Sequence, residues 1–196
     1  MRQMRKIHSD ESGATIVEFA MVLPVLLIMV IGLFDVGMNL YTTSVVQGTM
    51  QKAGRDFSLE APATRQAAIE SFIRDQVKYV APGAQVTFER NAYFDFNDIG
   101  KPEIFDDSNG DNICNNNEAF EDANDNGQWD ADRGKTGFGG ARDAMVLTAV
   151  VTYERLFPID ALIGLDEEIT IEASTVLRNQ PFDDQDKTIP VGQCGT

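Results

Sequence analysis

The chain has 196 residues and a formal charge of −15 at neutral pH, from 31 acidic and 16 basic side chains. A surface this acidic repels polyanions, which argues against nucleic acid as a partner. Two cysteines are too few for a disulfide-rich scaffold, and the one histidine, His8, lies in a basic N-terminal stretch. The body of the protein has no base for histidine-dependent catalysis and no recognisable nucleophile or zinc motif, so we do not expect an enzyme.

An apolar run near the N-terminus is long enough to cross a membrane. Residues 14–34 read ATIVEFAMVLPVLLIMVIGLF, 21 residues in which Glu18 is the only ionisable side chain. A helix of this length spans about 30 Å, the thickness of the hydrocarbon core of a bilayer. Three basic residues precede the run, so the positive-inside rule predicts that residues 1–13 are cytoplasmic and the rest is exported.

An ordinary secretory signal explains this run less well, because such signals are shorter and end at a small-residue cleavage site that is not evident here. Glu18 needs an explanation in either case, since a carboxylate in the hydrocarbon region costs about 2.5 to 3.5 kcal/mol on insertion scales. Either a cationic group lies close to it, or its side chain reaches the interfacial water by snorkelling.

The residues around Glu18 resemble the processing site of type IV pilins. Gly13 is followed by four residues and then by Glu18 and Phe19, with basic residues before them and a long apolar helix after them. This pattern is similar to that of the TadE-like pseudopilins of tight-adherence pilus systems. The resemblance implies that a prepilin peptidase cuts between Gly13 and Ala14. The new α-amino group of Ala14 would then be a suitable partner for Glu18 of a neighbouring subunit.

The resemblance extends to residues 22–55 and to a short C-terminal stretch, STVLRNQPF, at residues 174–182. It implies a minor pilin or pseudopilin of the bacterial inner membrane with an exported C-terminal domain. Its expected partners are other pilins, the prepilin peptidase and the inner-membrane assembly machinery. The alternative is a stationary, membrane-anchored adhesin or surface module that keeps its N-terminus intact.

Beyond the span, apolar residues recur every four or five positions as far as Phe57, which predicts that the helix continues out of the membrane. A second helix is predicted after Pro62, ending at Pro82 and Gly83. The strand signals lie at residues 85–96, 144–157 and 168–177. The connections favour antiparallel pairing, so we expect an α+β fold in which a small sheet packs against the long helix.

The acidic segment at residues 106–133 reads DDSNGDNICNNNEAFEDANDNGQWDADR, and its spacing is typical of calcium loops. Such loops place oxygen ligands at alternate positions around a tight turn, and a final carboxylate closes the coordination sphere. Position 6 is Asn112 where glycine is usual, although asparagine tolerates left-handed backbone better than most residues. Positions 1, 3, 5, 7, 9 and 12 of the first loop are Asp107, Asn109, Asp111, the carbonyl of Ile113, Asn115 and Glu118.

A second loop begins 15 residues later and has Gly127 at position 6. Positions 1, 3, 5, 7 and 9 are Asp122, Asn124, Asn126, the carbonyl of Gln128 and Asp130. Its twelfth residue is Arg133, so Asp132 or Glu121 has to supply the closing carboxylate. The two loops predict one or two bound Ca²⁺ ions without flanking EF-hand helices. The alternative is a flexible, solvated acidic insertion, because Asp, Asn and Gly also dominate ordinary turns.

Cys114 lies in the first loop, and a bridge to Cys194 would close a long segment of chain in an oxidising compartment. Spacing alone leaves open whether the two cysteines meet. The predicted regions are a leader at 1–13, a transmembrane helix at 14–34, an exported α+β domain at 35–182 with its insert at 106–133, and a tail at 183–196 that is loose unless Cys194 tethers it.

Overall fold

The computed structural model describes residues 12–58, 63–157, 164, 166–179, 184–185 and 188–195. Residues 1–11 of the predicted leader and Pro62 lie outside this part of the chain. Within it, two helices are followed by two sheets, so the predicted α+β class is confirmed.

Helix α1 covers Ser12–Ser58 without interruption and includes Pro24. It therefore contains the whole apolar span and continues well beyond it, as the periodicity predicts. Helix α2 covers Ala63–Val80 and ends before Pro82, which cannot donate a helical hydrogen bond. Gly83 then adopts a φ of 91°, a left-handed conformation that glycine reaches without a steric penalty.

The chain divides into two compact units. One contains the described residues of α1 up to Thr42 together with those between Glu154 and Ile169. The other contains Thr43–Tyr153 and the described residues from Thr170 onward. The acidic segment belongs to this second, larger unit.

The strands of the described residues are β1 at Gln85–Tyr93, β2 at Ala119–Glu121, β3 at Lys135–Thr136, β4 at Ala144–Glu154, β5 at Glu168–Arg178 and β6 at Val191–Gln193. Four of them form the main sheet, in the order β3-β1-β4-β5. Strands β1 and β4 pair in antiparallel fashion, from Gln85 opposite Thr152 to Tyr93 opposite Ala144. The strands predicted at residues 85–96 and 144–157 end earlier than expected, at Tyr93 and Glu154. A 3-10 turn at Phe96–Asp98 follows β1.

The core of the larger unit lies between one face of this sheet and the apolar faces of the two helices. Side chains alternate between buried and exposed along β5, as expected for a strand with one solvated face. Gly54 allows α1 to approach the sheet closely, because a Cβ there would lie 2.7 Å from Thr175 Oγ1. The buried apolar residues of the helices are Val46, Met50, Ala53, Phe57, Ile69, Ile73 and Val77, and those of β4 include Leu147, Ala149 and Val151.

A second, smaller sheet orders both the insert and the C-terminal segment. Strands β2 and β6 pair in antiparallel fashion, with Phe120 opposite Gly192. On the other side of β2, Phe105 forms an isolated antiparallel bridge with Phe120, which is 2% exposed. The expectation of a loose tail was therefore wrong for Val191–Gln193, because these residues complete a sheet around a buried aromatic side chain.

Arg178 and Asn179, in the described part of STVLRNQPF, hold the turn at residues 138–142 by hydrogen bonds. The side-chain amide of Asn179 donates to the carbonyl oxygens of Phe138 and Gly140, at 2.6 and 2.9 Å. Arg178 Nε donates to the carbonyl oxygen of Arg142 at 2.9 Å. Arg178 and Asn179 of STVLRNQPF thus make contacts that stabilise the fold, and residues 180–182 lie outside the described part.

Candidate functional site

None of residues 15–34 in the apolar span is buried, and most of them are exposed. An 18-residue window of α1 has a mean hydropathy of 2.7, and none of that window is buried within the chain. Glu18 and Phe19 both lie on this exposed surface, and Gly13 and Ala14 lie at the start of α1. This is the only helix among the described residues that is long and apolar enough to cross a membrane. Water would not solvate such a surface favourably, so the length and composition of the helix suit it to a membrane.

An ion pair marks the end of the span. Following α1 from Thr15, Asp35 is the first buried residue, with 4% of its surface exposed. Arg155, just after β4, donates a hydrogen bond from Nη1 to Asp35 Oδ2. A single buried carboxylate at this depth would be unfavourable, so the guanidinium offsets its charge. Sequence reasoning missed this pair because the two residues lie 120 positions apart.

The two acidic loops share a backbone conformation. Positions 4 and 6 are left-handed in both: Gly110 and Asn112 have φ values of 78° and 59°, and Asp125 and Gly127 have 61° and 78°. Each loop thus uses one glycine and one Asn or Asp at these two positions, in opposite order. Asn and Asp tolerate left-handed backbone better than other non-glycine residues, which allows the same turn to form from two different sequences.

The first residue of each loop organises the turn. Asp107 accepts hydrogen bonds from the backbone N–H groups of Gly110, Asp111 and Asn112, at 2.7, 3.1 and 2.9 Å. Asp122 accepts hydrogen bonds from the backbone N–H groups of Asn126 and Gly127, positions 5 and 6 of the second loop, at 3.0 and 2.8 Å. A carboxylate that accepts several N–H groups holds the loop closed around its own side chain.

In the first loop, the side chains of positions 3, 5 and 9 converge. Asp111 Oδ2 accepts hydrogen bonds from the amides of Asn109 and Asn115, at 3.0 and 2.8 Å. The Asn115 amide and the backbone N–H of Ile113 both favour the ionised form of Asp111, and together they lower its pKa. Three of the predicted ligand side chains therefore lie within hydrogen-bonding distance of one another.

The side chains of positions 3, 5 and 9 also converge in the second loop, but here the accepting carboxylate is at position 9 and not at position 5. Asp130 Oδ2, at position 9, accepts from the amides of Asn124 and Asn126, at 2.9 and 2.6 Å. Asn124 Oδ1 is buried and has no hydrogen-bond partner. A buried amide oxygen without a partner is unfavourable, and ligation of a cation is one way to satisfy it. The donor set of this loop therefore fits a hard cation such as Ca²⁺.

The first loop is closed by its own twelfth residue. Glu118 is 6% exposed, and its Oε1 accepts from the backbone N–H groups of Ser108 and Asn109, at 2.9 and 3.4 Å. Its Oε2 accepts from the N–H of Asn115 at 3.3 Å. The carboxylate thus holds positions 2, 3 and 9 of the loop together.

The second loop is closed by Glu103, a residue that lies outside both loops. Its Oε1 accepts from the N–H groups of Ala123 and Asn124, at 2.8 and 3.4 Å, and its Oε2 from Asp130 at 3.0 Å. These are again positions 2, 3 and 9, and Glu103 is 2% exposed. Glu103 therefore occupies in the second loop the place that Glu118 occupies in the first.

The backbone around Glu103 holds it in this place. Its N–H donates to the carbonyl oxygen of Asp130 at 3.0 Å, and its own carbonyl accepts from Trp129 Nε1 at 2.9 Å. Trp129 also packs edge-on against Phe105, with ring centroids 5.8 Å apart. Arg133 takes the twelfth position of the second loop, where a carboxylate is usual, and donates to the carbonyl oxygen of Pro102.

The two residues that we expected to close this loop lie elsewhere. Asp132 accepts hydrogen bonds from the hydroxyl of Tyr93 at 2.9 Å and from the N–H of Gly134 at 3.2 Å. Burial and the nearby Asp132 carboxylate raise the pKa of Tyr93 to about 12. Glu121 is exposed on β2. Glu103 carries no spacing signal, because it precedes the first loop and reaches the second through tertiary contacts.

A disulfide joins Cys114 and Cys194, whose Cα atoms are 5.3 Å apart. Cys114 takes position 8 of the first loop, and the N–H of Cys194 donates to the carbonyl of Glu118 at 2.8 Å. The bridge thus connects the first loop to the end of β6. Across the described residues, no group of three or more His, Cys, Asp or Glu side chains is gathered in the way that holds a metal. In both loops the carboxylates bond to backbone N–H groups instead.

Most of α1 is similar to a known protein family. Residues 13–55 match the family model described as TadE-like protein. No curated protein and no solved structure matches the chain. The matched range begins at the predicted cleavage site and includes the apolar span and the continuation of α1 as far as Arg55. The N-terminal part of this chain is therefore similar to TadE-like proteins.

Proposed function

We propose that the protein is a minor pilin or pseudopilin that acts in the assembly or at the tip of a tight-adherence pilus. The family match over residues 13–55 carries this proposal, because it covers both Gly13 and Glu18. In this role the protein is structural and not an enzyme. Residues 1–13 face the cytoplasm of the bacterial cell, and the rest of the chain beyond the span is exported from the inner membrane.

The physical basis of assembly is the exposed surface of α1. Phe19 is 57% exposed and Leu33 is 78% exposed, and no other described residue buries them. Lipid covers this surface in the membrane, and the apolar helices of other pilins replace lipid in a filament. Glu18 then pairs with the α-amino group of a neighbouring subunit, which removes the cost of a lone carboxylate among apolar helices.

The first test is the N-terminus of the protein in cells that have the pilus system. We expect the purified chain to begin at Ala14, because cleavage follows Gly13. Removal of three basic and two acidic residues changes the formal charge from −15 to −16. N-terminal sequencing and intact mass both measure the cut. A chain that still begins at Met1 in those cells contradicts the proposal.

Glu18→Gln is the matched variant for this test, because it keeps the size of the side chain and removes its charge. We expect it to be cleaved and anchored normally and to fail in pilus assembly, since the intersubunit ion pair is lost. Electron microscopy of surface pili gives the readout. Normal piliation by the Glu18→Gln variant contradicts the proposed ion pair in assembly. It does not contradict cleavage after Gly13, which the N-terminus tests separately.

The acidic insert binds one or two Ca²⁺ ions in this proposal. The first ion takes the oxygen ligands of the loop that Glu118 closes, and the second those of the loop that Glu103 closes. Support comes from the equal backbone conformations of the two loops, the equal contacts of their closing carboxylates and the unpartnered oxygen of Asn124. The millimolar calcium outside cells is sufficient even for sites of the extracellular class.

Calorimetry on the full chain in detergent tests this part. We expect calcium binding that is reduced by Asp107→Ala at the first loop and by Asp122→Ala at the second, because each removes the carboxylate at position 1. Asp106→Ala is the control, since this exposed residue directly precedes the first loop and is not a predicted ligand. Absence of heat on calcium titration of the unaltered chain contradicts the proposal for both loops.

The second candidate function is a stationary, membrane-anchored adhesin whose calcium-stabilised insert contacts a surface or partner. The insert favours this candidate, because its loops lie outside the range that matches the family model. Leader processing separates the two functions: a stationary anchor keeps residues 1–13 and is independent of the pilus machinery.

A further inference from the structure

The connection between β4 and β5 begins where the apolar span ends. Arg155 bonds to Asp35, which directly follows Phe34, the last residue of the span. Arg155 Nε also donates to the carbonyl oxygen of Asp166 at 2.7 Å, and the Arg155 N–H donates to that of Glu167 at 3.1 Å. Both ends of the connection are therefore held beside α1 just after the apolar span.

The residue after Arg155 presents an apolar side chain to the surroundings. Leu156 is 64% exposed, and the sequence from 156 to 165 contains Asp160 as its only charged residue. A single exposed leucine is common on a protein surface. This leucine is different in its location, because its chain neighbour is bonded to Asp35, the residue of α1 that directly follows the apolar span.

We propose that Leu156 lies in the interfacial region of the leaflet adjacent to Asp35 and that lipid covers it. Lipid is the occupant because none of the residues 15–34 is buried, so lipid surrounds α1 up to the level of Asp35. The exposed leucine continues that surface. The inference rests on membrane anchoring alone and does not depend on a role in a pilus.

The charges near Leu156 indicate which lipids it contacts. Arg155 is already paired with Asp35, and the residues around the two strand ends include Glu154, Asp166 and Glu167. These carboxylates repel anionic head groups, so contact depends on apolar burial and not on charge attraction. Zwitterionic lipid is sufficient, and anionic lipid does not strengthen the contact.

A fluorescent label on Leu156→Cys in the full chain tests this inference. The two native cysteines are bonded to each other, so the new thiol is the only free one. The chain is placed in phosphatidylcholine nanodiscs that contain lipids with a nitroxide at a shallow or a deep acyl position. Leu33→Cys, in the span, is the reference, and Tyr79→Cys, which is 87% exposed on α2, is the control.

We expect the label at position 156 to be quenched by the shallow nitroxide more than by the deep one. We expect the label at position 79 to be unaffected. Addition of phosphatidylglycerol should leave the quenching unchanged. If the label at position 156 is quenched no more than that at 79, while the label at 33 is quenched, the inference is overturned.

Two further outcomes distinguish the cause of any quenching. Arg155→Gln should abolish the quenching at position 156 and leave that at position 33 unchanged, because the connection is released from Asp35. Unchanged quenching in Arg155→Gln would overturn the role of this tether. Quenching that vanishes as the number of chains per nanodisc rises would identify a second copy of the chain as the occupant, which also overturns the inference.

Discussion

Replacement of Glu103 by alanine is expected to lower the free energy of unfolding of the larger unit by about 3 kcal/mol. The carboxylate is 2% exposed and accepts hydrogen bonds from three backbone N–H groups of the second loop. Its removal leaves those donors without a partner and opens a void between the loop and the segment before the first loop. Chemical denaturation of the chain in detergent measures the loss.

The same variant should abolish calcium binding at the second loop and leave the first unchanged, because Glu118 still closes the first loop. Glu121→Ala is the matched control: it removes an exposed glutamate from the same region and should change stability by less than about 0.5 kcal/mol. If Glu103→Ala and Glu121→Ala behave alike in both assays, Glu103 does not close the second loop.

Removal of the disulfide is expected to have the other large effect. A chain with Cys114→Ser and Cys194→Ser should lose about 4 kcal/mol of stability, because the bridge closes a long loop and restricts the unfolded chain. The two residues are separated by 80 positions in sequence. Denaturation of the double variant under non-reducing conditions measures this loss.

The unaltered chain in reducing buffer is the control, and it should show the same shift in stability as the double variant. Calcium affinity of the first loop should also fall, since Cys114 takes position 8 of that loop and is held against β6. A difference of less than about 1 kcal/mol between oxidised and reduced protein would show that the bridge adds little to the fold.

The two acidic loops show how much residue spacing alone can predict. Alternating Asp and Asn residues predict a loop because the hydrogen bonds that shape it are local: Asp107 reaches N–H groups three to five residues ahead. Glu118 is part of the same local pattern. Glu103 is not, and it reaches the second loop 20 to 27 positions along the chain. No spacing rule anticipates such a contact, because it depends on the path of the intervening chain.

The sequence by itself determined the elements whose cause is local. Composition and length identify the membrane span, residue periodicity identifies both helices and the main strands, and ligand spacing identifies the loops as candidates for calcium. Helix formation, strand alternation and loop closure depend on neighbours within a few residues, so a pattern within one segment is enough to reveal them.

Only the tertiary structure decided which distant groups meet. It paired Asp35 with Arg155, brought Glu103 to the second loop and placed Cys194 beside the first. It also made a strand of Val191–Gln193, which has too few residues to show a pattern of its own. The physical reason is common to all four cases: a buried charge, a bridge or a short strand is stable only where another part of the chain supplies its partner.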